Sequence, residues 1–447
     1  MVTDTPVLLS AARYEASMPL DLAKSADEKL QRAYRSYLDG QGAGTRHLVS
    51  AKLDILGHYD VPGMKEAAAL CCWGRSGSLL LASYLDGHND IVMMPMIKGE
   101  KIYHFFREYE ALSVWEKLVA YPTYAEYYES SFFDGEFPIV AEDYYASVHA
   151  LFKVYGNRPV EWLQSRSRFF QFLHVAYAVA IGQRPDSPHP VMVYSQHWTD
   201  DDLACRFIED FPNGRFMHTI RDPIASFDSW FDRLLDMQTT RCPIPKPEYL
   251  KTALDTVRHL IGWDRSHLGM EGRTCAIRFE DLHLTPMETM RDLAQWLGVP
   301  YRPSLLESTF NGAPYVVGSG KAAWTGPNPA NAVRRSKNLN WADRLMMFAL
   351  LQENFDAWNY GSPRAFRHRA VRLVTIALLL LVPMKMEAIT AKAVMRVQVL
   401  PLLRAGKIVF AGRTFLRLFA CRWALMKLVA TEARTRLLGG KRVLTLL

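Results

Sequence analysis

Ala68-Ala69-Leu70-Cys71-Cys72-Trp73 runs into Gly74-Arg75-Ser76-Gly77-Ser78 and then into Leu79-Leu80-Leu81-Ala82-Ser83-Tyr84-Leu85. The order is that of a short buried strand, a tight glycine turn and the first turns of a helix. Such a turn aims several backbone N–H groups outward at a helix N-terminus, which suits a phosphate or a sulfate. The pattern G-x-x-x-x-G-K-[ST] of nucleotide triphosphatases is absent, because Ser78 and Leu79 follow Gly77. The stretch therefore predicts an anion cradle that lacks the lysine used to reach the outer phosphates of ATP.

The rest of the chain sets that cradle in an ordinary globular context. With 447 residues, 49% hydrophobic and 22% charged, it can bury the core of one large domain or two. Its six cysteines (Cys71, Cys72, Cys205, Cys242, Cys275 and Cys421) show no metal-ligand spacing, so no metal site and no disulfide framework are expected. Met1-Val2-Thr3-Asp4-Thr5-Pro6 has no basic stretch leading into an apolar one. A reducing, cytoplasmic setting is the expectation.

The net charge of +7 hides an asymmetry. Residues 364–447 hold 17 Lys/Arg against 2 Asp/Glu, a charge of +15, whereas residues 1–363 hold 36 against 44, a charge of −8. A tail of that sign calls for an acidic partner, either anionic lipid or nucleic acid.

Further apolar runs recur along the chain: Asp90–Pro95, Pro190–Tyr194, Arg215–Ile220 and Thr274–Phe279. Separated by helical patterns, they predict a parallel sheet covered on both faces. Helices are expected over residues 20–60. The division read from these patterns is a helical N-terminal segment over 1–64, a main domain over 65–363 and the basic tail over 364–447. An insertion at about 100–188 holds 21 of the 53 aromatic residues. It reads as an aromatic core of a helical subdomain, as a lid holding an acceptor, or as both.

The run Arg215–Ile220 leads into Arg221-Asp222-Pro223, with Ser229 eight residues past the arginine. Arg221 then stands at the carboxyl end of a strand, where open α/β sheets bind ligands. Asp222 and Pro223 suit the cap and first position of the next helix. Ser229 falls two turns further along it. Arginine and serine so placed form a clamp for a second phosphate.

With these segments in hand, the chain resembles the sulfotransferases that use 3′-phosphoadenosine 5′-phosphosulfate (PAPS). The resemblance rests on Gly74-Arg75-Ser76-Gly77-Ser78, on Arg221 with Ser229, and on Arg278-Phe279-Glu280-Asp281-Leu282 followed by Pro286 and Trp296-Leu297-Gly298. It covers roughly 65–360. It implies a P-loop-like three-layer α/β domain with a central parallel sheet, and sulfuryl transfer from PAPS to a hydroxyl without a metal. The residues from Gly74 to Leu79 would hold the 5′-phosphosulfate, and Arg221 and Ser229 the 3′-phosphate. Arg75 stands where many members carry a lysine and would stabilise charge on the leaving oxygen.

Two residues compete for the general base. His197, in Tyr194-Ser195-Gln196-His197-Trp198, occupies a place similar to the catalytic histidine of cytosolic-type members, without the lysine usual just before it. Glu100 resembles the glutamate that carbohydrate-type members place after their second strand, at a looser spacing. Lys321 and Arg334 are the cations of a late Gly/Pro/Asn-rich stretch that either closes over the 3′-phosphate or forms a solvated basic patch. The acceptor, whether a sugar, a lipid or a small phenol, is not readable. Competing readings are a non-catalytic, membrane-docking protein that binds adenosine bisphosphate, and a nucleotide-dependent kinase, against which the missing lysine speaks.

In the tail, Leu373–Val382 is too short to span a bilayer. Arg413, Arg417, Arg422 and Lys427 border Phe415, Leu416, Phe419 and Trp423, the pattern of helices lying in a membrane interface. The same pattern fits helices packed on the domain with snorkelling cations. No nucleic-acid recognition module is visible.

Overall fold

A computed structural model of the chain describes residues 43–71, 76–129, 139–196, 201–236, 272–316, 325–333, 337–439 and 446–447. The strands of the main sheet are β1 (Ala67–Cys71), β2 (Ile91–Lys98), β3 (Val191–Gln196), β4 (Arg215–Ile220) and β5 (Thr274–Arg278). Numbering the helices of nine residues or more gives α1 (Ala43–Leu56), α2 (Ser78–Asp86), α3 (Gly99–Glu108), α4 (Val114–Glu129), α5 (Ala141–Tyr155) and α6 (Arg166–Ala180). They continue with α7 (Asp201–Asp210), α8 (Pro223–Asp236), α9 (Pro286–Leu297), α10 (Trp341–Ala357), α11 (Arg369–Leu379), α12 (Lys385–Val394) and α13 (Ile408–Gly439).

The fold is α/β, with the strands in the order β2-β3-β1-β4-β5. β4 pairs in parallel with both β1 and β5, Met217 lying opposite Leu70 on one side and Cys275 on the other. β1 is buried along its whole length, and its alanines let neighbouring layers approach closely. All five strands stand where the apolar runs put them. β2 continues past Pro95, which costs little because β2 is at an edge of the sheet. The N-terminal helix α1 begins at Ala43; the expected helix before it lies outside the described residues.

By its contacts the chain divides into two compact units. One comprises residues up to Lys65 together with Asn89–Met192 and holds α1 and α3–α6. Its aromatic residues pack on one another. Phe105 meets Tyr121 edge-on at 5.3 Å and stacks on Phe169 at 5.8 Å, and Trp115 stacks on Phe172 at 5.3 Å. Lys52, buried on α1, donates to the Ala180 carbonyl at 3.0 Å and pairs with Asp143 at 2.6 Å, tying α1 to α6 and α5.

The other unit comprises Glu66–His88 and Val193–Leu447. Its core joins Ile220, Ile224 and Phe227 to Met347, Leu350 and Phe355 of α10 and to Ile376, Leu379, Leu425, Val429 and Leu437 of the basic tail. The tail helices α11 and α13 thus share the core beneath β4. Three tail arginines turn inward. The Arg372 guanidinium grips Glu353 (Nη2 to Oε2 2.9 Å) while its Nε donates to the Ala349 carbonyl at 2.7 Å. Arg436 donates to Asn354 Oδ1 at 2.8 Å. Arg422 pairs with Glu387 at 2.6 Å and caps the carbonyls of Leu380 and Val382. At the chain's end the Leu447 N–H donates to the Ala276 carbonyl of β5 at 3.1 Å.

A two-stranded hairpin, Thr309–Phe310 with Ala313–Pro314, turns through Asn311 and Gly312, both at positive φ. Asp86, at the end of α2, accepts from Thr309 Oγ1 at 3.1 Å and from the Gly312 N–H at 3.5 Å. Burial outweighs these bonds and pushes the Asp86 carboxyl up to about 6.

Candidate functional site

β1 delivers the chain to the turn that opens α2. Ser76 to Leu79 are described; Gly74 and Arg75 lie outside the described residues. Gly77 sits at φ 92°, ψ 16° as the N-cap of α2, and its carbonyl accepts the first helical bonds, from Leu80 at 3.0 Å and Leu81 at 3.2 Å. No side chain caps this end and the first turn holds no acidic residue. The helix therefore presents its leading N–H groups and the positive end of its dipole to whatever occupies the turn. The buried Ser76 hydroxyl shares a 2.8 Å hydrogen bond with Thr219 of β4, which fixes the turn against the central strand.

Arg221 follows β4 directly. Asp222 accepts from the Ile224 and Ala225 N–H groups at 2.9 and 3.0 Å, so it caps α8 as the sequence suggests. The Arg221 guanidinium lies over the Phe279 ring at 4.4 Å. That same ring fills the space a side chain at Gly77 would need: a Cβ there would collide with Phe279 Cδ2. One phenyl ring therefore packs against both the glycine that opens α2 and the arginine that ends β4. The two predicted anion-binding elements meet on it.

The motif around Phe279 holds this junction. The Phe279 N–H donates to the Ile220 carbonyl at 2.7 Å. Buried Glu280 accepts from the Asp222 N–H at 3.1 Å and from the Tyr360 hydroxyl at 2.6 Å, so the strand end that carries Arg221 is pinned from behind. Burial raises the Glu280 carboxyl above its ordinary range, with the Tyr360 bond opposing. Arg278 lies over the Tyr360 ring at 4.8 Å and faces Asp281 at 3.7 Å.

Further contacts bring the late stretch of the chain to the same place. His283 packs edge-on to Phe279 at 4.5 Å, and its Nδ1 accepts from the Asn328 N–H at 2.9 Å, which leaves the ring proton on Nε2. On α8, which carries half-buried Ser229, Asp228 accepts from the Asn338 N–H at 2.6 Å. Asp232 pairs with Lys337 at 3.4 Å. Asn328 is thus anchored beside Phe279, and Lys337 and Asn338 on α8. Lys321 and Arg334 themselves lie outside the described residues.

Of the two candidate bases, His197 lies outside the described residues, one position beyond the end of β3. Glu100 stands in the first turn of α3, in the unit that holds Asn89–Met192. Among the described residues no group of three or more His, Cys, Asp or Glu could hold a metal ion. Sequence reasoning missed the ring that joins the two anion-binding elements, the Thr219 hydroxyl, and the Glu280–Tyr360 pair. The motif from Arg278 to Leu282 was the available signal for Phe279 and Glu280; nothing marked Tyr360.

His283 is 1% exposed, and burial, helped by the Arg221 charge, holds its imidazole down at about 4. His283 and Asp86 then act on stability with opposite signs. The folded chain keeps Asp86 protonated where the unfolded chain has released the proton, so its contribution is lost as pH rises from about 4 through 6. The folded chain keeps His283 neutral where the unfolded chain binds a proton, so that contribution is lost as pH falls from 6.5 through about 4. Each amounts to roughly 3 kcal/mol at most. Relative to the parent, Asp86→Asn should make the unfolding free energy climb more steeply with pH across this range, and His283→Gln should make it climb less or fall. Denaturant titrations over the pH series check this, and parallel profiles for the two variants would contradict it.

A comparison with family models comes to the same region. The sulfotransferase family model matches residues 70–303. Among solved structures, the chain is similar to the sulfotransferase domain of the Synechococcus PCC 7002 olefin synthase, at 18% identity over 68% of this chain and 99% of that one, with a TM-score of 0.39. It is similar also to a sulfotransferase domain of the curacin biosynthetic pathway, at 18% identity over 60% of this chain and 82% of that one, with a TM-score of 0.33. The Mycobacterium avium sulfotransferase STF9 gives 13% identity, 63% of this chain, 73% of that one and a TM-score of 0.32. At these TM-scores the likeness adds nothing to the family match. A comparison with curated proteins gives no match. The family model runs from β1 through the turn at Gly77, Arg221 and the Phe279 motif, over more than half of the chain, and the protein belongs to the sulfotransferase family.

Proposed function

We propose that the protein transfers a sulfuryl group from PAPS to a hydroxyl acceptor. The observation that carries this reading is the shared packing of Gly77 and Arg221 on Phe279. It sets an uncapped helix N-terminus and a strand-end arginine side by side, as a nucleotide charged at both its 5′ and 3′ ends requires. The Gly74–Leu79 segment holds the 5′-phosphosulfate. Arg221 and Ser229 hold the 3′-phosphate, with Lys321 and Arg334 closing over it from the late stretch. The acceptor oxygen forms a bond to sulfur as the bond from sulfur to the bridging phosphate oxygen breaks, and adenosine 3′,5′-bisphosphate leaves. Arg75 stabilises the charge that builds on that bridging oxygen, and a general base, His197 or Glu100, takes the acceptor proton.

Labelled PAPS offered with a panel of sugar, lipid and phenolic hydroxyls tests the reaction. The reading expects label in an acceptor and one equivalent of adenosine 3′,5′-bisphosphate released. Donor binding without transfer to any acceptor would leave the non-catalytic alternative. With an acceptor in hand, His197→Ala and Glu100→Gln assign the base: one of them should abolish turnover and retain donor affinity. Full activity in both variants would remove both candidates.

A further inference from the structure

We propose that the outward face of the first half of α13 docks this protein on an anionic lipid bilayer, an inference independent of the reaction above. The two halves of α13 behave differently. Its second half turns Leu425, Val429, Ala433 and Leu437 into the core beneath β4. Its first half packs through Ala411, with Leu418 partly buried beside it, on a small cluster with Val394 and Val399. Ile408, Val409, Phe415, Leu416, Phe419 and Trp423 fall within one sector of about 120° that runs from beside Ala411 round to the far side of the helix. The stripe faces solvent, with Ile408 69%, Leu416 65% and Trp423 70% exposed. A surface helix ordinarily places its apolar stripe on the core and its polar face in water. Here a second apolar sector, beside the packed one, is left exposed, which marks an interaction surface.

Charge identifies the occupant. Residues 388–431 contain eight Lys/Arg and no Asp/Glu. The inward arginines of the tail are paired, Arg422 with Glu387 among them. Arg413 and Arg417 remain exposed along one border of the stripe, and Arg404 and Lys407 are exposed just before it. A second copy of this chain docking through the same face about a two-fold axis would set these cations against each other. A nucleic acid would meet the cations and leave Phe419 and Trp423 in water. The interface of an anionic bilayer satisfies both: apolar and aromatic side chains enter the acyl boundary and the cations meet the headgroups. The helix would lie in the interface, since among the described residues no helix is long and apolar enough to cross a membrane.

The test is co-sedimentation of the full-length protein with phosphatidylcholine vesicles, with and without phosphatidylserine. Binding should require phosphatidylserine and weaken as ionic strength rises. Phe419→Ser/Trp423→Ser and Arg413→Glu/Arg417→Glu should each lower the partition coefficient at least about tenfold. Thermal melting of both variants should stay that of the parent, because the altered side chains face solvent. Three results would overturn the proposal. One is a parent protein that ignores phosphatidylserine vesicles, and another is full binding by both double variants. The third is a dimer by light scattering, lost in Phe419→Ser/Trp423→Ser, without vesicle binding, which would assign the face to a second copy.

Discussion

Arg221→Ala is expected to weaken binding of adenosine 3′,5′-bisphosphate by about 10- to 100-fold. A charge-assisted bond from a guanidinium to a phosphate contributes roughly 1.5–3 kcal/mol, and the arginine fork can make two. The loss should be selective. Arg221 follows β4 and belongs to a separate element from the turn at Gly77, so a nucleotide with only a 5′-phosphate should bind parent and variant alike. Arg221→Lys should recover part of the affinity, because it keeps the charge and loses the planar fork. Calorimetric titration of both nucleotides into the three proteins separates a phosphate ligand from a merely structural arginine. A structural role would lower both affinities together, through disorder of the Phe279 ring over which the guanidinium lies.

Gly77→Ala is expected to cost about 2–5 kcal/mol of stability and to abolish measurable donor binding. Two penalties combine. A backbone at φ 92° disfavours any residue with a Cβ, by roughly 1–2 kcal/mol. The added methyl also enters the Phe279 ring, an overpacking penalty of about 1–3 kcal/mol. A double-mutant cycle divides them. In a Phe279→Leu background the same change should cost only the backbone part, because the ring that the methyl strikes is gone. Equal costs in the two backgrounds, read from denaturant unfolding, would show that Phe279 does not define the turn.

Much of this site was legible because its parts are local. Strand, glycine turn and helix follow one another within residues 68–85, and Asp222-Pro223 announces its helix through the chemistry of a cap. The junction between the parts was not legible. Phe279 lies about two hundred residues from Gly77 and fifty-eight from Arg221, and no periodicity connects a ring to a missing Cβ. Tyr360, which holds Glu280, sits in a stretch with no motif at all.

The tail shows a different limit. Its sequence carries arginines bordering apolar runs, a pattern equally good for packing and for a lipid interface. The fold divides it residue by residue. Arg372, Arg422 and Arg436 turn inward to Glu353, Glu387 and Asn354, while Arg413 and Arg417 stay outside with Trp423. Spacing alone could not make that division, because it depends on which acidic and amide side chains the rest of the chain brings within reach. The aromatic insertion is similar: edge-on and stacked contacts among Phe105, Tyr121 and Phe169 account for part of its composition, and only three-dimensional contact selects those rings.

The central claim is a site that recognises a nucleotide by charge at both the 5′ and 3′ positions. Calorimetry of the unaltered protein with adenosine 3′,5′-bisphosphate, adenosine 5′-phosphate and ATP tests it most directly. The 3′-phosphorylated nucleotide should bind at least about 100-fold more tightly than either of the others. Equal affinity for all three, or tighter binding of ATP, would contradict the account.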